Sequence, residues 1–189
     1  GEAPPTGAVT GDTTDAIIGA LKYHIRPTMI GKDIDGIEPL LDDLNACIHG
    51  NASAKAAVDM AIYDLFGQKH GIPCYKLLGG ARNKLTTDIT ISVNDPDIMA
   101  EDTVNAIKRG YDILKIKVGI NPELDVARLS AVREAAGRFV TIRIDANQAW
   151  TPKQAVHILN DMQERGLGLE LVEQPVKGYD LEGLKYVTD

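Results

Sequence analysis

The segment DILKIKVGINPE, residues 112–123, has the form of a buried β-strand that leads into a helix. Isoleucine, leucine and valine dominate residues 113–118, and Pro122 stands where a following helix would begin. The pattern recurs along the chain, with strands predicted at residues 87–93, 112–118, 140–145 and 169–174 and helices at 97–109, 123–136 and 153–164. A strand and a helix that alternate with a repeat of about 25 to 30 residues predict a parallel sheet with right-handed crossovers.

The fold class is therefore α/β, and the sheet could be doubly wound or closed into a TIM-type barrel. We favour the barrel because polar residues fall at the carboxyl ends of three successive strands, where barrel enzymes carry their active sites. Four strand-helix units cannot close an eight-stranded barrel. We therefore expect a partial (β/α) barrel, its first four units, and a chain that is a fragment of a larger protein.

The first part of the chain has a different, helical pattern. Helices are predicted at Thr13–Arg26 and Ile34–Ile48, and a third follows Ser53, which we interpret as its N-cap. Regular strand-helix alternation begins only after the Leu78–Ala81 stretch. These patterns predict two domains, part of a helical α+β capping domain at residues 1–80 and the N-terminal half of the barrel at residues 81–189.

Composition limits the classes of partner. The 189 residues are 44% hydrophobic and 25% charged, with a net charge of −7, which is typical of a globular protein. The negative charge and the absence of a dense Lys/Arg run argue against nucleic acid and anionic membranes as partners. No apolar run reaches the roughly 18 to 20 residues of a membrane helix, and no signal peptide is recognisable at residues 1–20. We expect a cytoplasmic protein.

Candidate catalytic residues stand at the ends of the predicted strands. Lys115 and Lys117 share one face of their strand because side chains alternate. Asp145 ends the next strand and Glu173 the one after, and the interval from Lys117 to Asp145 equals that from Asp145 to Glu173. Each residue alone has an ordinary explanation, a solvated strand lysine or a helix-capping acid. Together they predict two lysines and two carboxylates at one rim.

This combination suits a magnesium-dependent proton transfer. Carboxylates on rigid strand ends are hard oxygen ligands for Mg²⁺, and a third ligand would be expected on a further strand. A divalent cation and a second lysine nearby both favour the neutral form that a lysine base needs. The four histidines, by contrast, have no ligand spacing, and we expect structural or surface roles for them.

The ordered motifs KIK at 115–117, DANQAW at 145–150 and EQP at 173–175 resemble the muconate lactonizing branch of the enolase superfamily. The likeness runs over nearly the whole chain and is strongest to dipeptide epimerases of the L-Ala-D/L-Glu type. It implies a capping domain over a modified barrel, a dipeptide substrate, and α-proton abstraction next to a carboxylate with stabilisation of an enediolate. It also implies a homo-oligomer for the full-length protein.

Site roles follow from the resemblance residue by residue. It makes Lys117 the acid/base on one face of the substrate α-carbon, and Lys115 its neighbour that helps to hold the substrate carboxylate. Asp145 and Glu173 become the first and second Mg²⁺ ligands, and Asn147 a supporting polar group near the metal. A third ligand and a lysine for the opposite face would lie in segments outside these residues. Two alternatives stay open: cycloisomerisation or o-succinylbenzoate synthesis on the same scaffold, and an inactive fragment.

Overall fold

The computed structural model describes residues 1–189 and divides into two compact units, Gly1–Lys84 and Leu85–Asp189. The domain boundary predicted from the sequence, between residues 80 and 81, stays a prediction about how the chain is organised. The helices are all too short or too polar to cross a membrane.

The first unit is helical. Its α-helices are α1 (Thr14–Ala20), α2 (Arg26–Met29), α3 (Ile37–Ala46), α4 (Ala52–His70) and α5 (Cys74–Leu77), with a π-helical turn at Leu21–Ile25 that joins α1 to α2. A small apolar core, which includes Ile25 and Leu44, holds the helices together. The helical backbone of α2 runs beyond the predicted end at Arg26, because Pro27 falls in its first turn, where proline is tolerated.

The start of α4 differs from the prediction. Asn51, in the left-handed conformation at φ 53°, is the residue that precedes the helix, and no side chain caps it. The hydroxyl of Ser53 instead donates to the Asp12 carboxylate at 2.7 Å. The prediction of Ser53 as N-cap is therefore wrong, because α4 begins at Ala52 and Ser53 already lies inside its first turn, where its hydroxyl bonds to a carboxylate 41 positions away.

The second unit alternates strands and helices, as predicted. The strands are β1 (Ile89–Ile91), β2 (Ile113–Lys117), β3 (Thr141–Asp145) and β4 (Leu169–Glu173), and the helices are α6 (Pro96–Lys108), α7 (Pro122–Ala136), α8 (Pro152–Glu164) and α9 (Leu181–Thr188). All neighbouring strands are parallel, in the order β1-β2-β3-β4. Proline opens α6, α7 and α8, where its missing N–H leaves no hydrogen bond unmade.

The two faces of the sheet differ in chemistry. Leu114 and Ile116 of β2 and Ile142 and Ile144 of β3 are completely buried in the apolar core with the helices. The alternate residues of the same strands point to the opposite face and, apart from Ile113 at the start of β2, are polar. This alternation is unusual for parallel strands, which are mostly apolar on both faces. It leaves one face of the sheet available for charged groups.

Candidate active site

Strand register aligns three of the predicted site residues. Lys117 pairs with Asp145 across β2 and β3, and Asp145 pairs with Glu173 across β3 and β4. All three residues end their strands, so they form one row at the carboxyl edge of the sheet. Lys115 stands two residues before Lys117 on the same face. The structure thus brings together the two lysines and two carboxylates that were predicted from strand parity.

Lys115 lies between the two carboxylates. Its Nζ is 2.5 Å from Glu173 Oε2 and 3.0 Å from Asp145 Oδ2. Hydrogen bonds to Glu173 and to Asp145 raise the pKa of Lys115 above its ordinary value, against the opposing effect of desolvation. In this arrangement the two carboxylates govern the charge of Lys115.

Asp145 is the buried centre of the cluster. Its side chain is 1% exposed, whereas that of Glu173 is 48% exposed. Burial alone would raise the pKa of the Asp145 carboxyl, but hydrogen bonds from Lys117, from the Asn147 backbone N–H and from Lys115 outweigh burial and hold that pKa below its usual value. Asp145 is therefore a fixed anion at the base of the site.

Lys117 has two oxygen acceptors. Its Nζ donates to Asp145 Oδ2 at 2.6 Å and to Asn147 Oδ1 at 2.7 Å. Asn147 is itself fixed, since its backbone N–H donates to Asp145 Oδ1 at 2.9 Å. Asn147 thus contacts the amine of Lys117, and its expected place near the metal stays a prediction. These contacts orient the Lys117 amine within the site.

Strained backbone follows the strands that carry the carboxylates. Asn147 (φ 47°), Gln148 (φ 68°) and Gln174 (φ 39°) are three of the four non-glycine residues in the chain with positive φ. Such conformations cost free energy and cluster at functional sites. Backbone hydrogen bonds stabilise them: Ala146 N–H donates to Glu173 O at 3.2 Å and Gln148 N–H to Gln174 O at 2.8 Å. The loops after β3 and β4 therefore form one unit.

Arg143 lies on the polar face below the row. It pairs with Asp88 Oδ2 at 3.1 Å and with Glu170 Oε2 at 2.5 Å. Hydrogen bonding to Glu170, and more weakly to Asp88, raises its pKa, so it is a permanent cation with two anionic partners. Arg143 makes none of its hydrogen bonds to the residues of the row, and we treat it as a support beneath the site.

Three residues that contribute to the site were missed at the sequence level. Gln148 accepts a hydrogen bond from Gly178 N at 2.8 Å and so ties the loop after β3 to the one after β4. Asp125 and Arg128 on α7 are a buried ion pair at 3.1 Å. The sequence did hold a sign of this burial, because both residues fall at helical spacing beside the buried Val126, Leu129 and Val132. Charged residues on a helix, however, ordinarily indicate a face exposed to solvent.

The donor set fits a hard divalent cation in part. The carboxylates of Asp145 and Glu173 both lie within 3.0 Å of one cationic atom, Lys115 Nζ, so two anionic oxygens already converge on a common position. Carboxylate oxygens are the ligands of Mg²⁺, which commonly takes one or two of them. No cluster of three or more His, Cys, Asp or Glu side chains suited to a metal is present in the chain. Two ligands are therefore what these residues can supply.

Family models match most of the chain. Residues 1–79 match the mandelate racemase/muconate lactonizing enzyme N-terminal domain, and residues 99–189 match the enolase C-terminal domain-like model. Over all of its 189 residues the chain is 58% identical to the L-Ala-D/L-Glu epimerase of Clostridium acetobutylicum, of which it covers 53%. The chain thus spans about half the length of the curated relatives it matches.

Solved structures agree in fold. The substrate-liganded L-Ala-D/L-Glu epimerase of Bacillus subtilis superposes with a TM-score of 0.93 at 49% identity, covering 99% of this chain and 52% of that one. The dipeptide epimerase of Enterococcus faecalis, complexed with Mg and L-Leu-L-Tyr, gives a TM-score of 0.92 at 45% identity over 100% of this chain and 52% of that one. The predicted fold, a partial barrel preceded by a helical cap, is confirmed.

Proposed function

Because this chain belongs to the mandelate racemase/muconate lactonizing enzyme family of the enolase superfamily, we propose that the protein containing it is a Mg²⁺-dependent dipeptide epimerase of the L-Ala-D/L-Glu type. The observation that carries the reaction class is the row of Lys117, Asp145 and Glu173 at the carboxyl edge of the sheet. The identity to named epimerases over the full chain supports the dipeptide substrate.

Lys117 is the proposed base. Lys117 is the last residue of β2, which pairs with β1 and β3. Its side chain is 30% exposed, so a substrate can approach the amine. Two of its contacts, Asp145 Oδ2 and Asn147 Oδ1, orient the Nζ atom without covering it. A lysine held in this way can take the α-proton of a bound dipeptide from one face, and the lysine expected outside these residues would supply the proton to the opposite face of the same carbon.

Asp145 and Glu173 are the proposed Mg²⁺ ligands in this chain. When bound, Mg²⁺ supplies positive charge that neutralises the substrate carboxylate and the negative charge that develops as the α-proton leaves. Lys115 lies beside both carboxylates and adds a second positive charge near the same substrate group. Asn147 holds the amine of Lys117 in place while the substrate binds.

The test uses the full-length protein that contains this chain. Purified with Mg²⁺ and given L-Ala-L-Glu, it should form L-Ala-D-Glu, which chiral chromatography separates from the substrate. Chelation with EDTA should stop the reaction, and added Mg²⁺ should restore it. Muconate and the precursor of o-succinylbenzoate serve as controls for the two other activities of this scaffold. Turnover of either control with no epimerisation of any dipeptide would refute the proposed function.

A further inference from the structure

A buried ion pair lies behind the row of site residues. The Asp125 carboxylate has no exposed surface, and Arg128 is 6% exposed. Asp125 Oδ1 accepts from Arg128 Nη1 at 3.1 Å, and Asp125 Oδ2 accepts from the backbone N–H of Gly119 at 2.9 Å. Arg128 Nε in turn donates to the carbonyl of Asn94 at 2.7 Å. The pair therefore connects α7 to the loops that follow β1 and β2.

Gly119 couples this pair to the site. It follows Lys117 by two residues, and the intervening Val118 N–H donates to the Asp145 carbonyl at 3.0 Å. A Cβ on Gly119 would stand 2.6 Å from the Ala149 Cβ and 2.7 Å from the Ala146 carbonyl, so the loops after β2 and β3 are in direct contact. Its φ of +100° also favours glycine. A shift of Gly119 would therefore move the end of β2.

The free-energy cost of burying the Asp125–Arg128 ion pair indicates a role other than stabilising the fold. Burial raises the pKa of the Asp125 carboxyl even though Gly119 and Arg128 both donate to it. Buried ion pairs are often no more stabilising than apolar residues of similar size. The carboxylate accepts from Gly119 in the loop after β2 and, through Arg128, is connected to Asn94 in the loop after β1. The Asp125 carboxylate thus connects more than one loop at the carboxyl edge of the sheet.

We propose that Asp125, paired with Arg128, is a positioning residue that holds Lys117 at its working height through the Gly119 N–H. The expected effect on turnover rests on the proposed function, whereas the expected effect on the structure at the end of β2 does not. Displacement of a catalytic group by about 1 Å can cost up to roughly 100-fold in rate. Loss of the Asp125 carboxylate should therefore lower kcat, while KM changes little because Asp145 and Glu173 stay in place.

Arg133 on the same helix provides a matched control. It caps four backbone carbonyls at the opposite end of the sheet, those of Gly137, Val140, Leu167 and Gly168, at 2.7 to 3.0 Å. It is a half-buried arginine, more exposed than Arg128, and its loss leaves backbone carbonyls without their hydrogen-bond partner. Its truncation destabilises the same unit without touching Gly119. A general loss of stability can thus be separated from a loss of positioning.

The experiment compares Asp125→Ala, Asp125→Asn and Arg133→Ala in the full-length protein with Mg²⁺. We expect Asp125→Ala to lower kcat by roughly 10- to 100-fold with KM within about threefold of wild type. Asp125→Asn has one acceptor oxygen, whereas the carboxylate uses two, one for Gly119 and one for Arg128, so this variant should show a smaller but measurable loss of kcat. Arg133→Ala should lower Tm yet retain wild-type kcat. If Asp125→Ala does not fold, Asp125→Asn decides alone: a reduced kcat at unchanged KM supports the proposal, and wild-type kcat overturns it.

Amide hydrogen exchange provides a readout independent of turnover. In Asp125→Ala, or in Asp125→Asn if that variant must decide, the amides of Val118 and Gly119 should exchange faster than in wild type, whereas Arg133→Ala should leave them protected. Amide exchange at Val118 as slow as in wild type in the deciding variant would overturn the positioning role. So would a kcat of Arg133→Ala that falls together with its Tm, because loss of stability alone would then explain the loss of turnover. A wild-type protein that turns over no dipeptide would refute the proposed function, and the exchange data would still decide this inference.

Discussion

The two faces of the β2–β3 pair are built from the same strands but have opposite chemistry. Ile116 and Ile144 are completely buried against the helices, whereas Lys117 and Asp145, their immediate neighbours in sequence, form an ion pair at 2.6 Å on the other face. The apolar face contributes most to the stability of the unit. The polar face concentrates charge that contributes little to stability and is suited to chemistry. Substitutions on the two faces should therefore have separable effects.

The largest separable effect is expected at Asp145. In the full-length protein, Asp145→Asn keeps the size of the side chain but removes its charge. Magnesium affinity should fall by more than the roughly 10- to 100-fold that loss of a hydrogen-bonding partner of a metal ligand costs, and epimerisation should fall with it. Calorimetric titration with Mg²⁺ and the turnover rate measure the two effects. A variant that binds Mg²⁺ like wild type would remove Asp145 from the proposed ligands.

The complementary change is on the apolar face. Ile116→Ala removes a completely buried side chain from the core and should cost about 2 to 5 kcal/mol of unfolding free energy. Below its unfolding transition the variant should keep its Mg²⁺ affinity, because Ile116 points away from the row. Chemical denaturation measures the first effect, and metal titration the second. A loss of Mg²⁺ affinity in the folded variant would mean that the two faces are not independent.

The smallest effect is expected from Arg143, which lies on the polar face but outside the row. Arg143→Met removes its partly exposed pairs with Asp88 and Glu170, and such pairs contribute little to stability. Turnover should stay within about twofold of wild type, the range of ordinary surface substitutions. Steady-state kinetics provide the check. A large loss of kcat would extend the catalytic machinery to the layer below the row.

Strand parity and strand ends were readable from the sequence because both are local properties. They are enough to predict the position of Lys115, Lys117, Asp145 and Glu173, and the prolines that open α6, α7 and α8 mark where each helix begins. The family resemblance added the catalytic and metal-binding roles, which the alternation of side chains along a strand cannot indicate. The assignment of Mg²⁺ and of each residue's catalytic part stays a proposal.

The errors come from contacts that a local pattern does not encode. Ser53 is of a residue type that commonly caps helices, yet its hydroxyl donates to the Asp12 carboxylate. Asp125 was missed because a charged residue on a helix is usually solvated, and only the fold reveals that the Gly119 N–H and Arg128 meet it.

The most direct test of the account is α-proton exchange by the full-length protein carrying Lys117→Ala. Wild-type protein with Mg²⁺ in D₂O should incorporate deuterium at the α-carbon of the epimerised residue. Lys117→Ala should bind Mg²⁺ nearly as well as wild type, since Lys117 is not a ligand, but it should not epimerise the dipeptide. Proton NMR of the substrate follows the exchange. Wild-type epimerisation and exchange in the variant would contradict the assignment of Lys117 as the base.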